Sequence, residues 1–460
     1  MNKIFDIIVI GAGAGGLVVA IGGAKAGKKV LLVEKDNYGG DCTNFGCIPS
    51  KSLIASAHAA YYLKHADRLG IETSPFSFDG KGALDRVRKI VREIRSHEDP
   101  DALKKLGVET LSGIASFVDK RTLSIDGKKI QGRQIVIATG SYPVVPPIEG
   151  LKETPFLTNE TVFDLEKIPK RMIFIGGGPI CSELSQAFSR LGSKVTMIES
   201  RPSLLAREEK EAQKIIMETF QKEGITLLTG ERTERVSYDK HFTVEVRGKT
   251  LHSIEGDALF VGVGRRPHLK ELMLDAAHIK HTEEGIPTDP YGRTNIKNIW
   301  AIGDVTGPPF FTHYAENQAR TVLTNLLLPF IMKKSRQPIP RCTYTDPEVA
   351  SIGLKEEECN PKKIAVYRVP FSEVDRSITT GRTEGCVKII TKKWSSKILG
   401  ATIVGPRAGE MLMEISTAMH AKLPLRKLST LMHPYPIESL AIRKAADKWL
   451  TETILGIFRR

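Results

Sequence analysis

Cys42 and Cys47 are the only cysteines close together in this chain of 460 residues; Cys181, Cys342, Cys359 and Cys386 stand alone. Two thiols at such a spacing can cycle between dithiol and disulfide, sit as two free thiols in a loop, or hold a soft metal. A zinc site is disfavoured, because no second Cys or His pair supplies the usual four ligands. If the two sulfurs bond, the segment Cys42-Thr-Asn-Phe-Gly-Cys47 is wound irregularly. Residues five apart do not share a face of an undistorted helix, and a disulfide tolerates a Cα separation of at most about 7 Å. Gly46 permits that winding. Pro49 suits the first turn of a helix, which puts Cys47 at an N-terminus where the dipole lowers a thiol pKa. Lys51 lies one helical turn beyond Cys47 on the same face, where a buried cation stabilises a thiolate.

The elements around this pair repeat one design. Asp6-Ile-Ile-Val-Ile-Gly11-Ala-Gly13-Ala-Gly-Gly16 is followed by helical spacing from Leu17 to Lys25 and by Lys29-Val-Leu-Leu-Val-Glu34. Arg171-Met-Ile-Phe-Ile-Gly176-Gly-Gly178-Pro-Ile-Cys181 is followed by a helix from Glu183 to Leu191 and by Lys194-Val-Thr-Met-Ile-Glu199. Each predicts strand, glycine turn, helix and strand, ending on an acidic residue. The first glycine allows the tight turn, the second lets the backbone approach a pyrophosphate, and the helix N-terminus offers N–H groups to it. Glu34 and Glu199 fall near the ~20-residue offset at which a carboxylate accepts from ribose hydroxyls. Two dinucleotide sites follow. Glu199 repels a ribose 2′-phosphate and so favours NADH, a preference that Arg201 and Arg207 soften. In the second turn Cys181 replaces the third glycine and reads as a buried, inert thiol.

A helical, charge-rich region spans Ser50 to Leu106, and Ile135-Val-Ile-Ala-Thr139-Gly140-Ser141 predicts a strand ending in a small-residue turn. Pro143, Pro146 and Pro147 place a boundary near residue 150. Ala258 to Gly264 closes the second unit, and Asn298-Ile-Trp-Ala-Ile-Gly303-Asp304 sets an acid at the C-terminal end of a strand, where α/β folds place ligands. From about Arg341 the pattern is α+β.

The net charge of +14 is spread along the chain without a dense basic block interleaved with aromatics, so no nucleic-acid partner is expected. The opening Met-Asn-Lys reads as the approach to a first strand, with no cleavage signal. The longest apolar stretch, Val322 to Met332, is interrupted by Asn325 and Pro329 and falls short of the ~20 residues of a membrane span. With one special thiol pair among otherwise solitary cysteines, a cytoplasmic location is expected.

The segment Gly39-Gly-Asp-Cys42-Thr-Asn-Phe-Gly-Cys47-Ile-Pro-Ser-Lys51 resembles the redox signature of the class I pyridine nucleotide-disulfide oxidoreductases. So do Ala138-Thr-Gly140-Ser, Gly264-Arg265-Arg-Pro, Ile299-Trp-Ala-Ile-Gly303-Asp304 and Tyr344-Thr-Asp-Pro-Glu-Val-Ala-Ser-Ile-Gly353, so that the resemblance covers essentially the whole chain. It implies an α/β fold of two Rossmann-like domains and a C-terminal α+β dimerisation domain. An FAD domain at 1–150 would be completed by 271–335, with an NAD(P) domain at 151–270 and the dimerisation domain at 336–460. FAD would use Gly11, Gly13, Gly16, Glu34, Lys51, Ala115, Thr139, Gly140, Asp304 and Thr312. NAD(P)H would use Gly176, Gly178, Glu199 and Gly264. Cys47 would face the flavin, Cys42 would exchange with substrate, and Glu183 would pair with Lys51. Pro179 stands where many relatives place an aromatic lid, which implies freer nicotinamide access and more leakage to oxygen.

The resemblance makes the acceptor depend on His433-Pro-Tyr435-Pro-Ile-Glu438-Ser-Leu440, contributed by the partner of a homodimer. Relatives that reduce disulfides carry His-Pro-Thr-x-x-Glu there. Aligned from His433, Glu438 completes an acid-base dyad, as in dihydrolipoamide dehydrogenase. Aligned from Tyr435, the following Ala445-Ala446 matches without a gap and Tyr replaces His, as in mercuric reductases. Asp375-Arg376 and Thr380-Gly381-Arg382-Thr-Glu-Gly385 resemble the same enzymes, and this second register is preferred. Mercuric reductases also carry a C-terminal cysteine pair and an N-terminal metal module; no Cys follows Cys386 here, so Hg(II) or copper is expected to meet Cys42 and Cys47 directly. The leading expectation is an NADH-driven FAD enzyme reducing a metal ion or a small acceptor. No resident metal is expected, and a redox-sensing flavoprotein without catalytic purpose is the remaining reading.

Overall fold

The computed structural model describes residues 4–74, 80–328, 332–334 and 337–455. The opening Met-Asn-Lys, and Pro329 within the longest apolar stretch, lie outside the described residues.

The apolar run Ile7-Ile-Val-Ile suits a strand covered on both faces. It forms the centre of a parallel sheet: Ile4–Ile10 lies between Val30–Glu34 and Lys128–Ile137, with Ile7 opposite Val30 on one side and Gln134 on the other. Val108–Ser112 extends the sheet past Val30–Glu34. Far downstream, Ile299–Ala301 joins the C-terminal half of Lys128–Ile137, while its other half carries an antiparallel meander of Thr122–Ile125 and Ala115–Phe117. The second sheet is wholly parallel, in the order Thr226–Thr229, Lys194–Glu199, Arg171–Ile175, Ala258–Val261. A three-stranded antiparallel layer, 232–256, shares a core with it through Val236, Phe242, Val244 and Val246. The third sheet has five antiparallel strands between Arg341 and Gly405, against which the helices Ala408–His420 and Leu440–Leu450 pack. The fold is α/β with two Rossmann-like sheets and a C-terminal α+β portion, as the sequence implies.

Two contacts hold these parts in place. Ser141–Pro143 pairs antiparallel with Arg265–Pro267, tying the ends of the first two sheets together. Arg190 ends the helix Pro179–Arg190 with its side chain only 3% exposed, between Glu223 at 2.6 Å and Asp346 at 2.9 Å. Its guanidinium lies 3.9 Å from the ring centre of Tyr61, and Arg382 also reaches Asp346. A buried cation is tolerated only when paired in this way. One apolar core runs from Leu53, Ile54 and Ala57 of the helix Cys47–Lys64 through Phe174, Phe188 and Phe260 to Val349 and Val404. No helix among the described residues is long and apolar enough to cross a membrane.

Candidate active site

The predicted irregular winding is present. Gly40–Asn44 and Cys47–Lys64 are separate helices broken at Phe45 and Gly46, so Cys42 sits in the first and Cys47 opens the second. Gly46 has φ −117°, which any residue adopts; close approach is what demands glycine. A Cβ there would lie 3.0 Å from the Asp41 carbonyl oxygen and 3.1 Å from the Cα of Cys42. Both cysteines are unbonded, and the Cys42 thiol donates to Cys47. That hydrogen bond is the main reason the Cys47 thiol is lowered to about 6; burial opposes it, while the Thr312 hydroxyl at 3.6 Å and Lys51 add to it. The same hydrogen bond and burial hold Cys42 protonated.

Lys51 follows one turn along the helix and meets Glu183 at 2.7 Å. Glu183 is buried and spends its other oxygen on the Tyr344 amide at 2.9 Å. Burial alone would lower the Lys51 pKa, but the charge and hydrogen bond of Glu183 outweigh it and the pKa is raised. The Lys51 ammonium also lies 4.4 Å from the centre of the Tyr344 ring.

These groups open on a continuous cleft of about 2810 Å³ that passes both glycine turns. At the first turn Gly11 has φ +103°, and a Cβ on it would strike the Ala138 carbonyl oxygen at 2.3 Å. Gly13 caps the helix Ala14–Lys25 without a side-chain hydrogen bond, leaving its first N–H groups for an anion. Glu34 accepts from the amides of Ala12 at 2.7 Å and Asp36 at 2.9 Å. At the second turn Gly176 has φ +118°, Gly178 caps Pro179–Arg190 in the same open way, and Glu199 accepts from Gly177 N at 2.6 Å and Arg201 N at 2.8 Å. The two cradles match the two dinucleotides: bare backbone faces the cleft, and a Cβ would close it. Ala115, Thr139, Gly140, Asp304, Thr312 and Gly264 line the same cleft. Gly16 does not; it lies under the turn, where a Cβ would sit 2.0 Å from the Gly11 carbonyl oxygen, so its part is packing rather than contact. Cys181 is fully buried, its thiol turned toward the carbonyls of Ile175 and Gly262 and its pKa pushed up by burial. Pro179 opens its helix beside the exposed Ile180.

His433, Tyr435 and Glu438 lie apart from this cleft within one chain. His433 Nε2 is 3.2 Å from Glu414, a carboxylate the sequence reading did not consider, and no hydrogen bond joins it to Glu438 among the described residues. The reason is geometric: His433 sits in an extended segment whose ring reaches back to the helix Ala408–His420, while Glu438 leads into Leu440–Leu450. Tyr435 is 72% exposed and donates to Asp375 at 2.7 Å.

Three participants escape a reading by motif. Arg265 reaches Asp41, next to Cys42, at 3.1 Å and donates to the Ser141 hydroxyl at 2.8 Å; that hydroxyl donates on to Asp304 at 2.6 Å. Asn159 donates to Asp41 at 3.0 Å. Cys342 lines the cleft near Lys51, its thiol pushed up by burial. Arg265 and Ser141 stand in conspicuous segments, but nothing local announces their partner Asp41. Among the described residues no cluster of three or more His, Cys, Asp or Glu could hold a metal ion.

Residues 5–319 match the pyridine nucleotide-disulphide oxidoreductase family and residues 339–446 its dimerisation domain, which supports a homodimer. The mercuric reductase of Lysinibacillus sphaericus is 32% identical over 96% of this chain and 82% of its own. The dihydrolipoyl dehydrogenase of Thermus scotoductus is 35% identical over 97% of both. The HOCl-induced flavoprotein disulfide reductase RclA from Escherichia coli superposes with a TM-score of 0.88 at 27% identity, over 96% of this chain and 99% of that one. The Cu(II) complex of RclA gives 0.87 at the same identity, over 95% and 98%. With both nucleotide cradles and both matched domains in one chain, the protein belongs to the pyridine nucleotide-disulphide oxidoreductases and is an enzyme that uses FAD and NAD(P)H.

Proposed function

We propose that this enzyme, as a homodimer with a preference for NADH, passes two electrons through Cys47 and Cys42 to a soft metal ion or a small electrophilic acceptor. The observation that carries this reading is geometric: the break between Gly40–Asn44 and Cys47–Lys64 sets the two unbonded cysteines side by side on the cleft, with the Thr312 hydroxyl 3.6 Å from Cys47 and the Lys51–Glu183 pair one turn along. This setting lowers the Cys47 thiol while raising that of Cys42. The first cradle would hold FAD, with 1–150 and 271–335 forming its domain; 151–270 would hold NAD(P)H and 336–460 would form the dimer. The return of Ile299–Ala301 to the first sheet favours that division. A cytoplasmic location accompanies it.

Held by the Gly11–Gly13 turn, Glu34, Asp304 and Lys51, FAD would supply hydride-accepting chemistry toward NAD(P)H and two-electron reducing chemistry toward a Cys42–Cys47 disulfide. On reduction the S–S bond breaks, Cys42 takes one proton, and Cys47 stays a thiolate under its hydrogen bonds and Lys51. Two thiolates then ligate the metal ion, Cys42 giving up its proton; the ion takes two electrons and the disulfide re-forms. For Cu(II) the two electrons reduce two ions. Such a step needs no protonating His, which fits a His433 held by Glu414 in place of Glu438. Tyr435 of the partner subunit would stand at the mouth. The mercuric reductase relative and the Cu(II) complex of RclA favour the same acceptor class.

The second reading is a dihydrolipoyl dehydrogenase, favoured by that relative and by the carboxylate that His433 does possess. Anaerobic reduction with NADH, followed by lipoamide, Hg(II) or Cu(II) in separate samples, decides between them. Reoxidation by the metals and not by lipoamide is expected; rapid reoxidation by lipoamide, lost in His433→Gln, overturns the metal reading.

A further inference from the structure

Away from the cleft, the turn joining Cys386–Lys392 to Ile398–Gly405 carries Trp394 at 73% exposure, whereas Trp300 and Trp449 are 6% and 5% exposed. A side chain of this size left in water gives up hydrophobic free energy that burial would recover. The surroundings are basic. Lys392, Lys393 and Lys397 flank Trp394 on the turn, all exposed. The Lys393 amide donates to the Lys363 carbonyl at 3.0 Å, which brings a fourth exposed lysine alongside. Arg426 donates to the carbonyl of Ser395 and to the hydroxyl of Ser396 at 3.2 Å, adding a fifth cation from a third segment. None of the four lysines has a carboxylate partner among the described residues. Neither 385–409 nor 415–437 contains an Asp or Glu. The fold thus gathers onto one tip charges that the sequence spreads over three stretches.

We propose that this tip is a docking surface for anionic phospholipid, with Trp394 seated at the headgroup level and the five cations against the lipid charge. Tryptophan prefers that boundary because its ring is apolar and its N–H polar. Lysines near an anionic leaflet each add attraction that falls off within a Debye length. A nucleic-acid strand would instead want a groove with several stacking rings, and this tip is a turn bearing one. The enzyme would then be held reversibly at a membrane face without a spanning helix, a condition the catalytic reading neither requires nor supplies.

The test is co-sedimentation of the purified holoenzyme with phosphatidylcholine vesicles, with and without phosphatidylglycerol, while tryptophan emission is recorded. Binding is expected only to the anionic vesicles, with a blue shift of the emission, and is expected to vanish at 1 M salt, where the Debye length is about 3 Å. Trp394→Ser should remove the blue shift, and Lys393→Gln should weaken binding roughly fivefold. Both variants should keep the parent rate of NAD(P)H oxidation, which shows that they are folded. Absence of binding to anionic vesicles at low salt overturns the proposal. So does binding indifferent to both variants, and so does a single-stranded oligonucleotide that displaces the vesicles from Trp394 at equal charge.

Discussion

Glu183 holds Lys51 at 2.7 Å with one carboxylate oxygen and the Tyr344 amide at 2.9 Å with the other. It therefore fixes the cation beside the thiols to the residue that follows the strand Arg341–Thr343 of the C-terminal sheet. Glu183→Gln keeps the shape and removes the charge. Because Lys51 retains 35% exposure of its side chain, the stability lost is expected to be about 1–2 kcal/mol, read as a shift in the urea midpoint. The Lys51 pKa should fall, and enzyme reduction by NADH should slow by about tenfold in stopped flow.

The lowered Cys47 thiol sets a pH signature. Above about 6 it is a thiolate and reacts with iodoacetamide; below, it is protonated and slow. The alkylation rate of the reduced enzyme should therefore rise through pH 6 and level off, where an ordinary thiol is still rising at pH 8. Cys42→Ala removes the largest cause of the shift and should move the midpoint up by at least about one unit. A midpoint that stays near 6 in that variant would assign the effect to Thr312 and Lys51.

Arg265 connects Asp41, in the short helix of Cys42, to Ser141 and through it to Asp304. Its side chain is 12% exposed, so Arg265→Leu takes the cation from Asp41, which keeps the Asn159 amide, and leaves the Ser141 carbonyl without its donor. A loss of about 2–3 kcal/mol is expected from urea unfolding. The same variant should release FAD more readily on dilution, because burial already raises the Asp304 pKa and the nearby cation counters that rise.

Glu199 serves the second turn as Glu34 serves the first, accepting from backbone amides on both sides of the cleft floor. Glu199→Ala should raise the KM for NADH by about tenfold or more with little change in kcat. The KM for NADPH should rise less, since the 2′-phosphate no longer meets a carboxylate while Arg201 and Arg207 remain in the cleft wall. Steady-state titration with both cofactors measures the ratio.

What was legible in the sequence was what is local. The glycine turns, the strands on either side of them and the break at Gly46 follow from residues within a few positions of one another. The Lys51–Glu183 pair was legible only through resemblance, since no spacing rule joins positions so far apart. Contacts made by tertiary placement were misread or missed: Glu438 is near His433 in the chain, but the ring turns to Glu414 on another helix. Gly16 belongs to the motif, yet it supports the turn from beneath. Asp41 adjoins the cysteine signature and gives no sign of Arg265, which reaches it only because Arg265–Pro267 pairs with Ser141–Pro143. The basic tip around Trp394 was hidden for the same reason, because its cations come from three segments.

Arg190 sits where the helix of the second sheet, the helix of Cys47 and the C-terminal strands converge, and the side chains of its two carboxylate partners are no more than 10% exposed. Any hinge between these parts would have to expose a paired charge and open the apolar core that crosses the same boundary. The lobes of one chain are thus latched together by a buried ion pair and a shared core, and no swing of one lobe against another is expected during turnover. The scattering envelope should be the same with and without nucleotide, the protomer should melt in one cooperative transition, and substrates must come to the electrons by diffusing along the cleft.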